Sequence, residues 1–460
     1  MPRPNVLLVI SDQHQRDATG CYGHQVVRTP NIDRLAARGV TFTTAYCQSP
    51  LCAPSRPSLL TGTHVHTCEA WSGRTGKPIR ELPTLSGVLR EAGYATGSIG
   101  KVHIIGEEKD GRDLGFSERA LRYYTYGKQD YVAAVGAEKV AKYAPSKAGD
   151  PLRADYMNHR NLPVDLEDAD IFDDLVVDRS IRFMEDHAGE PFFLWAGLEK
   201  PHPHWYAPKR FHDMYDPARM QLPESLEARP QGFPTISWKK LQEVGNYSPD
   251  EIRNCIAAYY ANVTYMDSNV GRLLETLERL DLAANTIVIY TSDHGEMLFQ
   301  HGMTQKHCFF EAAAAVPLVM AGPGLPEGER REHIVSLLDL FPTLAPMCGI
   351  APPDTLEGED IAEVIAGSAP TEGRCAFCEF YSFGYAERMI RTPEWKYVHS
   401  ETWSPQLFNL REDPLEIENL AGRPEYAGTC RELDARVTEG WELPDPAEIA
   451  RPDLEPLRDG

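Results

Sequence analysis

Five short apolar runs, each closing on a polar or glycine-containing turn, constrain this chain most: Val6 to Ile10, Ala95 to Ile99, Phe192 to Leu198, Thr286 to Tyr290 and Val316 to Ala321. Runs of this length, with β-branched residues and little polar alternation, suit strands buried on both faces, as in a parallel sheet. Helical patterns fall between them, at Asn31 to Arg38, Leu82 to Ala92, Asp173 to Asp186 and Asp250 to Leu280. The alternation predicts an α/β sandwich in which a large mixed, mostly parallel sheet lies between helices. Ligands of such sheets gather outside the carboxyl ends of the strands, so polar residues just after these runs are the first candidates for chemistry.

The pattern changes along the chain. Residues 1–366 read as the main domain, interrupted by two stretches of weak periodicity, about 106–168, rich in Tyr, Lys and Ala, and 207–248, rich in Pro and charge. Beyond Gly367 come short strand-like segments, Ala376 to Tyr381, Met389 to Thr392, Trp395 to Val398 and Gln406 to Leu410, then one helix, Pro424 to Gly440. These predict a small antiparallel sheet subdomain over 367–440. Residues 441–460 form an acidic, Pro-rich tail suited to a partner contact, such as that of a homo-oligomer.

Charge and composition exclude several classes. A formal charge of −22 argues against nucleic acid as a partner. Any anionic substrate must be drawn in by a local cluster of cations, against the field of the whole molecule. No stretch approaches the ~20 apolar residues of a membrane span. Met1-Pro2-Arg3-Pro4 runs straight into the first strand, with Asp12 too close for a signal peptide, and the expectation is a cytoplasmic protein. The ten cysteines lack the rhythm of a disulfide framework and read as reduced thiols. Cys375 and Cys378 are half of a zinc spacing with no second pair nearby, and strand alternation explains them better.

The most specific feature is Cys52-Ala53-Pro54-Ser55-Arg56-Pro57-Ser58-Leu59-Leu60-Thr61-Gly62. Pro54 suits the first turn of a helix, leaving residue 52 at its positive end, where backbone N–H groups favour an anion. Arg56, one turn on, reaches back to the same point. A cysteine phosphatase loop does not fit, because it puts its arginine six positions after the cysteine and here the interval is four. The run matches without departure the signature C-x-P-S-R-x-x-L-L-T-G, and the chain resembles the type I sulfatases of the alkaline phosphatase superfamily. The closing phrase Gln406-Leu407-Phe408-Asn409-Leu410 through Asp413-Pro414, Glu416 and Asn419-Leu420 resembles the C-terminal pattern of the same family.

That resemblance implies an alkaline-phosphatase-like fold and hydrolysis of a sulfate monoester. Cys52, oxidised to formylglycine by a separate formylglycine-generating enzyme, is then the nucleophile, and the covalent intermediate is a sulfate hemiacetal. Two clusters follow strands, Ser11-Asp12-Gln13 and Ser292-Asp293-His294-Gly295-Glu296. Acidic residues at strand ends are poor core material unless paired or bound to metal. By resemblance Asp12, Gln13, Asp293 and His294, together with Cys52 in its converted form, hold one divalent cation. Oxygen-rich ligation suggests Ca²⁺, and the imidazole admits Mn²⁺.

The remaining matches are Lys101 and His103, His202 after Lys200-Pro201, and Lys306. They imply lysines on the sulfate oxygens, His103 as base and His202 as acid, with Arg56 holding the hydrated aldehyde. Gln13 and His294, where many sulfatases have Asp and Asn, also resemble a bacterial branch containing phosphonate monoester hydrolases. Phosphonate monoester or phosphodiester hydrolysis is thus one alternative. The Lys101–His103 pair, which those enzymes typically lack, favours sulfate. The other alternative is a silent sulfate-ester binder whose Cys52 is never converted. His64, His66, His204, His301 and His307 have no firm family match, and Tyr123, Tyr124, Tyr126 and Trp205 are candidates to line the pocket for the organic group.

Overall fold

Strand β1 (Asn5–Asp12) shows why the sheet must be covered on both sides. Val6, Leu8 and Ile10 turn one way, Leu7 and Val9 the other, and all five are fully buried. The computed structural model describes residues 3–71, 79–104, 113–121, 171–228, 247–370, 372–382 and 385–449. Tyr123, Tyr124, Tyr126, most of the 106–168 stretch and the end of the tail lie outside the described residues.

Around β1 stand β2 (Gly39–Tyr46), β3 (Ala95–Gly100), β4 (Glu118–Ala120), β5 (Phe192–Pro201), β6 (Thr286–Ser292), β7 (Ala315–Val316), β8 (Leu318–Ala321) and β9 (Glu329–Ser336). The order is β4-β3-β5-β1-β6-β8-β2-β7, with β9 also on β2. Strands β4, β3, β5, β1 and β6 run parallel, while β8 is antiparallel to both β6 and β2. This is the mixed, mostly parallel sheet the apolar runs predict. One run needs correction: Val316 to Ala321 is two short strands, broken at Pro317, which has no N–H to give a ladder.

Helices α1 (Pro30–Ala37), α4 (Phe172–Asp186) and α5 (Pro249–Arg279) pack on the face of Leu7 and Val9; α2 (Cys52–Thr61), α3 (Leu85–Glu91) and α6 (Leu340–Met347) pack on the other. The long α5 starts where its sequence says it should. Pro249 occupies the first position, and Ser248 and Glu251 cap each other's backbone N–H reciprocally. Its buried stripe, Ile252, Ile256, Tyr259, Val263, Met266, Val270, Leu273 and Leu277, keeps helical spacing throughout. Within the stretch expected to be irregular, Lys209–His212 is a helical turn, and Phe211 packs edge-on against Tyr265 of α5.

A separate antiparallel sheet follows, β10 (Ala376–Ser382), β11 (Tyr385–Arg391), β12 (Trp395–Ser400) and β13 (Gln406–Asn409), with α7 (Ala427–Thr438) packed on it through Leu433 and Val437. It docks by buried charges. Lys396 Nζ binds Glu416 at 2.7 Å, Glu311 at 2.8 Å and the Phe309 carbonyl at 2.8 Å. Glu379 of β10 accepts from the His66 backbone N–H at 3.0 Å and pairs with Arg388 at 3.0 Å. Cys378 lies in the main core and Cys375 against α7, on opposite sides of the strand. No described helix is long and apolar enough to cross a membrane.

Candidate functional site

The site lies where β1, β3, β5 and β6 end and α2 begins. Leu51 is extended (φ −149°, ψ 135°), and Ser55 N–H closes the first turn on its carbonyl at 3.0 Å, so Cys52 is the first residue of α2. The unpaired N–H groups of a first turn therefore surround it. Pro54 is tolerated there because a helix start leaves its N–H position unsatisfied anyway.

Arg56, one turn on and fully buried, ties the strand ends to this helix. Its Nε donates to Asp293 Oδ2 at 2.7 Å, Nη1 to the Lys101 carbonyl at 2.6 Å, and Nη2 lies 3.4 Å from Asp12 Oδ2. Ser55 Oγ adds a bond to the Asp293 carbonyl at 2.7 Å. Lys101 reaches Asp12 Oδ2 with its ammonium. It is placed by two glycines: Gly100 has φ +87°, and a Cβ on Gly197 would lie 2.1 Å from the Lys101 carbonyl. Only glycine at 197 lets β3 and β5 approach so closely.

Asp12, Cys52, Asp293 and His294 bring one ligand atom each within 4.8 Å of one another, all buried. The donor set fits a divalent cation. His294 Nδ1 donates to the Gly295 carbonyl at 2.9 Å, which leaves the lone pair on Nε2. That Nε2 faces Asp12 Oδ1 at 3.8 Å and Asp293 Oδ1 at 3.6 Å, and among the described residues neither it nor Asp12 Oδ1 finds a satisfying hydrogen bond. Acceptors gathered around a buried point are costly unless a cation joins them. Gln13, in the left-handed region at φ 66°, donates its backbone N–H to Asp293 Oδ1 at 3.2 Å and accepts from Lys306 Nζ at its side-chain oxygen.

Electrostatics follow from burial and these cations. Burial opposes ionisation of Asp12, but Lys101, His202, Arg56 and Lys306 outweigh it and hold the carboxyl well below its ordinary range. Burial also raises the Cys52 thiol, and Lys101 and Lys306 reverse that to a net lowering. His103 is pushed down to about 3 by burial and then by Lys101; His202 is held well below its usual value by burial and then by Lys306. Both imidazoles are neutral at neutral pH. His202 follows β5, whose end is fixed by Asp173 of α4, a carboxylate accepting from Glu199 N–H at 2.8 Å and Lys200 N–H at 3.0 Å.

Several side residues fall elsewhere. Trp205 is buried, bonded to the Pro201 carbonyl and packed edge-on against Tyr259. His64 and His66 stand beside Glu379, His301 stacks on Phe310, and the His204 carbonyl accepts from Lys200 Nζ. Sequence reasoning gave no role to Glu296, which is fully buried and takes a bond from the Gln13 side-chain amide. Its place three residues after Asp293, in the same strand-end cluster, was the available signal.

A mixed sheet between helices, with a candidate metal-ligand cluster and Cys52 at a helix start beside the strand ends, is an alkaline-phosphatase-like arrangement. The chain belongs to the sulfatase family, whose model matches residues 4–350, and a second model, N-sulphoglucosamine sulphohydrolase, C-terminal, matches residues 299–442. It is 30% identical to arylsulfatase K of Mus musculus over 469 residues, 94% of this chain and 78% of the relative. It is 29% identical to the choline-sulfatase of Rhizobium meliloti, over 92% of this chain and 83% of that one. The solved phosphonate monoester hydrolase of Agrobacterium radiobacter superposes with a TM-score of 0.82 at 25% identity, covering 95% of each chain. The chain is thus a sulfuric ester hydrolase.

Proposed function

We propose that this protein hydrolyses an organic sulfate monoester to alcohol and inorganic sulfate, with residue 52, in its formylglycine form, as nucleophile and a sulfate hemiacetal as the covalent intermediate. The observation that carries the reading is the meeting of Cys52, at the start of α2, with Asp12, Asp293 and His294 within 4.8 Å. Asp12, Gln13, Asp293 and His294 would hold the divalent cation, Ca²⁺ or Mn²⁺, which when bound supplies Lewis acidity and offsets anionic charge.

The chain's own residues do the rest. Lys101 and Lys306 bind the sulfate oxygens and neutralise charge that grows in the transition state. Arg56 orients the nucleophile through a charge that stays fixed over the working pH range. Burial and Lys306 hold His202 well below its usual pKa, and its Nδ1–H is given to the Pro203 carbonyl at 2.6 Å, which points proton delivery to the leaving alcohol toward the Lys306 ammonium. His103, also neutral, is suited to take the proton whose loss lets the aldehyde reform and sulfate leave. Maturation then depends on a formylglycine-generating enzyme as a transient partner.

The test is Cys52→Ser. We expect a variant that melts like the parent but loses multiple turnover on an aryl sulfate, because serine cannot form the aldehyde by the same route. Undiminished steady-state turnover would contradict the reading, as would an unmodified cysteine at 52 in the peptide mass of active enzyme from the native host.

A further inference from the structure

Gln13 carries an amide whose two ends have opposite hydrogen-bonding character, so a cation site that uses it needs the oxygen, not the NH₂, turned inward. Two neighbours decide that orientation. Its Nε2 donates to Glu296 Oε2, and its Oε1 accepts from Lys306 Nζ. Glu296 is fully buried, and its other oxygen, Oε1, is committed as an acceptor from Leu298 N–H at 3.0 Å and Gln305 N–H at 2.5 Å. A carboxylate that accepts on both oxygens presents only acceptors to Gln13. Turning the amide over would set oxygen against carboxylate and NH₂ against ammonium, losing both bonds at once. The amide oxygen has two lone pairs, so Lys306 and a cation can share it.

We propose that Glu296 is a positioning residue for the cation site: it locks the Gln13 side chain with its carbonyl oxygen on the ligand side and, through Gln305 N–H, anchors the loop that carries Lys306. This rests on the reading of Asp12, Gln13, Asp293 and His294 as the cation site. It also accounts for glutamine at 13, since an acid there would set a second carboxylate toward Glu296 in a buried place. Glu296 does not touch the cation and acts through Gln13.

The purified protein is dialysed against graded free Ca²⁺, and separately free Mn²⁺, set by chelator buffers, and metal per chain is read by elemental mass spectrometry. Glu296→Gln is expected to weaken retention roughly 10- to 100-fold, the range for residues that orient metal ligands. The same change in a Gln13→Leu background is expected to add nothing. The exchange pair Gln13→Glu with Glu296→Gln restores an acceptor facing a donor and is expected to recover retention, which also covers the case in which Glu296→Gln alone folds poorly. Equal losses in both backgrounds, or no loss in either, would overturn the proposal. Asp293→Asn separates the two layers. If it leaves retention unchanged, the site reading falls and this proposal with it; if it abolishes retention while Glu296→Gln does not weaken it, only the positioning role falls.

Discussion

Arg56 ties the site together in one side chain, because its guanidinium donors meet the ends of β1 and β6 and the Lys101 carbonyl after β3 while it sits one turn from Cys52. Lysine in its place keeps the charge but cannot hold Asp293 and the Lys101 carbonyl together. Arg56→Ala removes the charge as well, leaving Asp12 and Asp293 buried with less compensation. Removing one partner of a buried ion pair costs about 3–5 kcal/mol. Urea unfolding of Arg56→Ala is therefore expected to lose about that much stability, with Arg56→Lys intermediate; a loss within experimental error for Arg56→Ala would show that the guanidinium does not organise the site. The signature made Arg56 and Cys52 legible without a structure. Glu296 was visible as a letter, but its partner Gln13 meets it only once β1 and β6 lie side by side.

The elements carry two further expectations. Gly197→Ala would drive a Cβ to 2.1 Å from the Lys101 carbonyl, and both backbones would have to part. We expect a stability loss of about 1–3 kcal/mol or more together with lower activity, since the shift moves Lys101; an active, fully stable variant would contradict the close approach of β3 and β5. At the junction of the two sheets, burial pushes His64 down to about 4 from 6.5, even though Glu379 favours its charged form. Glu379 is itself held at about 2 from 4.5, where its bond to His66 and the charges of His64 and Arg388 overcome burial. For His64 the unfolded chain binds the proton first, so its contribution to stability is complete above pH 6.5 and is lost as pH falls toward about 4. For Glu379 the contribution is complete above pH 4.5 and is lost as pH falls through about 2. His64→Asn should flatten the acid loss between pH 6.5 and 4, by up to about 3 kcal/mol, in denaturant unfolding at stepped pH; an unchanged slope would place the titration elsewhere. The apolar runs foretold β1, β3, β5 and β6. They did not reveal β2, Gly39-Val40-Thr41-Phe42-Thr43-Thr44-Ala45-Tyr46, or β9, which opens on Glu329-Arg330-Arg331-Glu332, because polar residues interrupt both patterns and only pairing within the sheet stabilises them.

At the scale of the whole molecule, a formal charge of −22 surrounds a pocket whose cations Arg56, Lys101 and Lys306, on the proposed reading, attract an anion. Raising ionic strength from about 10 mM, where the Debye length is about 30 Å, to about 150 mM, where it is about 8 Å, screens the repulsive outer field more than the close pairs in the pocket. We therefore expect kcat/KM for an anionic ester to rise over that range, while a steady fall would mean that the local cations dominate the approach. The sheet architecture and the position of the site were legible in the chain because strand ends and the Cys52 signature are local features. The residues that line the organic half of the pocket were not, since they depend on how distant loops meet. The most direct measurement compares rates on an aryl sulfate and an aryl phosphonate monoester, using protein converted at residue 52 and supplied with Ca²⁺ or Mn²⁺. Sulfate turnover faster by orders of magnitude is the result this account predicts, and faster phosphonate turnover would contradict it.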